Sequence, residues 1–202
     1  MDDITSTYNA RNVLIEMLED RNYSVQEEYK QIDMETFRYL YNNKNCDIFV
    51  ENHLNGQYKA YIKFIYVNKI KPNTVREYIS SIKENYLMND DDCLIIVLKS
   101  KPNNSILKIS KEKSNKNIEI QWISKLQFNI TKHQLVPKHE KITDEEVTKL
   151  MEKYKLTSVF QLPIITKEDP IIKYYNFKQG SVCKITRPSQ TAADHIYYRC
   201  VK

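Results

Sequence analysis

The chain has 202 residues, 41% of them hydrophobic, with 31 basic against 26 acidic side chains and a net charge of +5. That length suits one large or two small domains, and the longest unbroken apolar run, Cys93 to Leu98, is far below the about 18 residues of a membrane-spanning helix. The opening MDDITSTYNARN has acids and no apolar core, so no secretory signal or transit peptide is expected, and the expected location is intracellular.

In chain order, Val13, Leu14, Met17 and Leu18 recur at helical spacing and predict a first helix, capped among Thr5, Ser6 and Thr7 and ending near Asp20. Phe37, Leu40 and Tyr41 predict a second helix from Asp33. Strands are expected at Cys46 to Val50 and Tyr58 to Val67, paired antiparallel across an Asn55-Gly56 turn. After Thr74, the spacing of Val75, Tyr78, Ile79, Ile82 and Tyr86 predicts a helix, and CLIIVL reads as a strand covered on both faces, which makes a βαβ crossover. Between residues 99 and 116 six lysines, Lys99, Lys101, Lys108, Lys111, Lys113 and Lys116, face the single acid Glu112. IEIQWI and LQFNI read as further strands, so residues 1–130 are expected to form a self-contained α/β unit with a mixed sheet.

A boundary is expected at residues 130–140, with Leu135-Val-Pro-Lys-His leading into a smaller α+β domain, residues 131–202. Thr143-Asp-Glu-Glu146 is a capping box, with Ile142 and Val147 as its staple. Asp169-Pro170 starts a short helix after Pro163, Gly180 turns the chain, and Val182 to Thr186 with His195 to Val201 read as a closing hairpin. The sequence contains no internal repeat or low-complexity segment.

Chemistry narrows the reading further. Cys46, Cys93, Cys183 and Cys200 are too dispersed for a metal knuckle and read as buried reduced thiols, while Pro137 separates His133 from His139; no metal or cofactor is expected. Asp47 followed by Tyr61-Ile-Lys63 mimics the acid, acid-x-Lys layout of many nucleases, but a tyrosine stands where the second carboxylate is needed, and one acid holds a hard cation poorly. With only Gly56 and Gly180, the chain cannot form a glycine-rich phosphate loop or a nucleophile elbow. Trp122 and the tyrosines interleave with Ile and Val and are assigned to packing. Binding, not catalysis, is the expected activity.

Leu135-Val-Pro137-x-His139, Gln161-Leu-Pro163, DPIIKYYNFKQG, RPSQTA and YYRCV follow one another in an order that resembles subunit 5 of eukaryotic nuclear RNA polymerases, a family whose C-terminal domain is similar to a small archaeal polymerase subunit. The similarity is nearly continuous over 130–202; in 1–130 it lies in layout, through Asp20-Arg-Asn-Tyr23, CLIIVL and Lys101-Pro102-Asn103. Ala193 and Asn176 stand where the family usually has glycine.

This resemblance implies a non-catalytic subunit of a DNA-directed RNA polymerase. Its N-terminal domain is expected to be a restriction-endonuclease-like jaw that lines the downstream duplex DNA path without sequence specificity, through Lys99, Lys101, Pro102, Lys108, Lys111, Lys113 and Lys116. Its C-terminal domain is expected to be a two-layer α+β assembly module on the largest subunit, beside a small subunit of the subunit 6 type. The implied interface comprises Pro163, Asp169, Pro170, Tyr174, Lys178, Gly180, Arg187, Pro188, Ser189, Thr191, Tyr198 and Arg199. Arg187 and Arg199 either offer guanidinium forks to that partner or pair with acids of their own domain. Low glycine with abundant Asn, Lys, Ile and Tyr also suits an AT-rich genome, so the expected setting is a nucleus if cellular, or a cytoplasmic replication site or virion if viral. The alternative is a divergent restriction-like nuclease or a free-standing nucleic-acid-binding protein.

Overall fold

The computed structural model describes residues 2–51, 58–112, 115, 117–188 and 194–202, without the side chain of Asp194. The chain forms two compact units, Met1–Phe128 and Asn129–Lys202, each built around its own four-stranded sheet.

In the first unit, helix α1 (Asp3–Asp20) buries Ala10, Val13, Leu14, Met17 and Leu18. It starts before the predicted Thr5–Thr7 cap, with Asp2 at the cap position and Asp3 in its first turn. Two carboxylates suit the positive end of the helix dipole, and Thr7 instead turns inward to donate to the Asp3 carbonyl at 2.8 Å. A short helix that the sequence did not announce, α2 (Glu27–Lys30), precedes α3 (Met34–Asn42), where Asp33 caps as predicted by accepting the Thr36 N–H.

Strands β1 (Ile48–Glu51) and β2 (Lys59–Ile65) pair antiparallel, Ile48 opposite Ile62; the Asn55-Gly56 turn lies outside the described residues. Helix α4 (Pro72–Asn85) begins with Pro72 in its first turn, where a missing N–H costs nothing. β3 (Cys93–Leu98) then returns parallel to β2, which completes the expected crossover. Helix α5 (Asn104–Ile109) connects β3 to the parallel β4 (Ile118–Trp122), so the sheet runs β1-β2-β3-β4.

All six β3 residues are buried, and their alternation divides them between two layers. Leu94, Ile96 and Leu98 meet Val75, Ile79 and Ile82 of α4 and Ile106 and Ile109 of α5. Cys93, Ile95 and Val97 face the other side, where Arg21 at the end of α1 reaches the sheet. LQFNI is not a strand, contrary to expectation. A 3-10 turn forms at Ile123–Lys125, Leu126 is buried, and the Gln127 side chain donates to the carbonyls of Ile123 and Ser6, a local bonding scheme that replaces a ladder.

The second unit contains β5 (Lys138–Lys141), α6 (Asp144–Tyr154), β6 (Ile164–Ile165), α7 (Pro170–Tyr175), β7 (Val182–Pro188) and β8 (Asp194–Val201). The predicted capping box is present: Thr143 Oγ1 accepts the Glu146 N–H, and the Glu146 carboxylate accepts the Thr143 N–H at 2.9 Å. β7 and β8 form the closing hairpin, and the sheet order is β5-β7-β8-β6. One core layer joins Ile165, Ile172, Phe177, Cys183, Ile185 and Val201; the other joins Ile142, Leu150 and Val182. Asn176 adopts φ 52°, the left-handed conformation that asparagine tolerates.

Candidate nucleic-acid and assembly surfaces

The nuclease-like triplet of the first unit comes together as a closed ionic cluster. Just ahead of β1, Asp47 accepts hydrogen bonds from Lys63 Nζ at 2.6 Å, the Phe64 N–H at 2.9 Å and the Tyr61 hydroxyl at 3.0 Å. Burial, with hydrogen bonding to Tyr86 and Asp47, pushes the Tyr61 phenol far above its usual range, so it stays a neutral donor. The cluster borders a cleft of about 500 Å³ between the sheet and α4, with Phe49, Tyr78 and Tyr86 on its walls. Its carboxylate is engaged by three donors, and its lysine is neutralised.

The basic segment is partly helical. α5 occupies its middle because Ile106 and Ile109 are buried against the sheet, which leaves Lys108 exposed. Lys101 and Lys111 are exposed too, whereas Lys99 pairs with Asp3 at 2.5 Å. Pro102 is buried in its own unit and presents no surface. Glu112, the acid that the lysines outnumber, pairs with Arg76 of α4 at 2.6 Å. Lys113 and Lys116 lie outside the described residues.

In the second unit the twelve interface candidates separate by burial. Pro163, Pro170, Lys178, Arg187, Pro188 and Arg199 are exposed, and Tyr198 is half-buried. Asp169 caps α7, its carboxylate accepting the Ile171 N–H at 2.8 Å, and Gly180 turns with φ 86°. Tyr174 is buried, with its hydroxyl accepting from the Asn129 side chain at 2.9 Å, so it serves its own core. Ser189, Thr191 and Ala193 lie outside the described residues. Among the described residues no acid pairs with Arg187 or Arg199; Arg199 donates to the Ile164 carbonyl at 3.2 Å. Sequence reasoning missed the exposure of Ile196 and Tyr197, although three consecutive bulky residues in a strand cannot all share one buried face.

A further buried ion pair was not foreseen. Arg21 holds Glu119 of β4 through two bonds, 2.7 and 3.0 Å, with the Cys93 sulfur 3.6 Å away. The fork geometry satisfies both carboxylate oxygens where little water enters.

Family profiles align with the two halves of the chain. That of the RNA polymerase Rpb5 N-terminal domain matches residues 1–82, and that of the Rpb5 C-terminal domain matches residues 128–201. The chain is also 32% identical over 198 residues to DNA-directed RNA polymerase V subunit 5A of Arabidopsis thaliana, covering 96% of this chain and 87% of the relative. This chain belongs to the RNA polymerase Rpb5 family. Other Rpb5 relatives align end to end. The Dictyostelium discoideum subunit rpabc1 of RNA polymerases I, II, and III is 29% identical over 100% of both chains. The Caenorhabditis elegans subunit RPABC1 is 29% identical over 99% of both. In this Rpb5 chain no described helix is long and apolar enough to cross a membrane.

Proposed function

We propose that this chain is a non-catalytic subunit of a multisubunit DNA-directed RNA polymerase, with a nuclease-like jaw in its first unit and an assembly module in its second. The observation that carries the reading is the full-length likeness to polymerase subunits of that family. The Asp47 cluster supports the non-catalytic part, because a carboxylate held by Lys63, Tyr61 and a backbone N–H, without a second acid, has no free oxygen pair for a divalent cation. The exposed Lys101, Lys108 and Lys111 support contact with the phosphates of downstream duplex DNA, as point charges that read no sequence. Exposed Arg187, Pro188 and Arg199 support docking of the β7–β8 hairpin on the largest subunit, beside a small subunit of the subunit 6 type.

Assembly, DNA binding and DNA cleavage can each be tested. Purification of the tagged chain from its native setting through a salt wash should recover the two largest polymerase subunits at near-equal stoichiometry, and recovery of the chain alone rejects the assembly role. Arg187→Ala with Arg199→Ala should weaken that recovery without altering the unfolding midpoint. For DNA, Lys101→Glu with Lys108→Glu should weaken duplex binding equally for unrelated sequences and reduce the logarithmic salt slope by about one for each phosphate no longer neutralised. Magnesium-dependent cleavage of DNA that Asp47→Ala abolishes favours the nuclease alternative instead.

A further inference from the structure

The two outer edges of the second sheet are guarded differently. β5 carries Lys138 and Lys141 with Pro137 at its entry, the charged and proline-marked edge that resists pairing with another chain. On the opposite side, among the described residues, β6 pairs only with Cys200 and Val201, the last two residues of β8. There Cys200 N–H donates to the Pro163 carbonyl at 2.9 Å and Lys202 N–H to the Ile165 carbonyl at 3.0 Å.

Along an antiparallel strand, residues that bond the neighbouring strand alternate with residues that face away. Val201 N–H donates to the Ser181 carbonyl at 2.9 Å, so the odd-numbered residues of β8 bond toward β7 and the even-numbered ones face outward. Pro188 agrees with this phase, since it lacks an N–H and stands opposite the outward-facing Asp194. Beyond the reach of β6, the outward N–H and C=O groups of Ile196 and Tyr198 have no hydrogen-bond partner among the described residues. Beside them Ile196 and Tyr197 are 46% and 42% exposed.

We propose that the open edge of β8 receives an extended, acid-bearing segment of another polymerase chain as an added strand. The inference rests on the reading of this chain as a polymerase subunit, and it names how the hairpin docks. Alternating donors and acceptors complement a peptide backbone, whereas a phosphate backbone offers acceptors only. Charge sets the character of the incoming strand. Arg199 on β8 and Arg187 on the adjoining β7 flank the edge, and beyond Asp194 at its start β8 contains no acid. A second copy of this chain is a poorer match, because its own β8 carries Arg199 and supplies a single acid, Asp194.

The test is hydrogen–deuterium exchange of the full-length chain, free and reconstituted with the other polymerase subunits. The Ile196 and Tyr198 amides should exchange at least about tenfold more slowly in the assembly, while the outward-facing His139 and Lys141 amides of β5 keep their rates. Ile196→Lys, which leaves the β7 ladder intact and sets a charge at the edge, should lower incorporation by at least about tenfold with an unchanged unfolding midpoint. Unprotected Ile196 and Tyr198 amides in a fully assembled complex overturn the added strand and leave the subunit reading standing. Failure of the unaltered chain to assemble overturns the subunit reading itself. Protection in the free chain that grows with its concentration identifies a second copy as the occupant and also overturns the proposal.

Discussion

Lys155, which ends α6, has φ 52°, and exposed Leu87, just past α4, has φ 48°. A chain with two glycines fills these left-handed positions with side chains that dislike them, so Lys155→Gly should raise stability by about 0.5–1 kcal/mol, read as a higher urea midpoint at unchanged slope. The thiols give a pH signature. Burial pushes the Cys183 thiol up to about 11, and burial with the nearby Glu119 charge pushes Cys93 up to about 12, against an ordinary value of 9.0. Because the folded state holds these protons more tightly, the stabilisation is complete below about pH 9 and disappears as pH rises through 11 to 12. Thermal midpoints should therefore fall over that alkaline window, and less steeply in Cys183→Ala. At pH 8 a thiol reagent should label the four buried cysteines at the rate of unfolding.

At the level of elements, legibility followed the range of the forces involved. CLIIVL, the Thr143–Glu146 box and the Asp169-Pro170 start were readable because each rests on local periodicity or on groups within three residues of one another. α5 was obscured because Ile106, Leu107 and Ile109 are a small apolar island among lysines, and only the covering of β3 makes it a helix. LQFNI misled because its alternation is matched by no neighbouring strand; Phe128 is 64% exposed. For the candidate surfaces, composition located the lysines and the hairpin, but not the burial of Pro102 and Tyr174 or the engagement of Lys99, all of which depend on tertiary packing. The α7 cap permits a direct check: Asp169→Ala removes an acceptor shared by two N–H groups and should cost about 1 kcal/mol in unfolding free energy.

For the molecule as a whole, each unit has its own sheet and core, but the two close their sheets in different ways. Strand order in the first follows chain order, so each strand can join one already in place. In the second, β8 is last in the chain yet lies between β7 and β6. During translation β6 therefore waits without a partner until β8 has emerged, and the hairpin forms only then. Stalled nascent chains ending before residue 194 should yield a protease-resistant first unit and a degraded second one, and resistance of both would reject this order. A prematurely terminated product would thus lack the strand that closes this sheet, and on the proposed reading of the hairpin, competence to join a polymerase doubles as proof that the message was read through to β8.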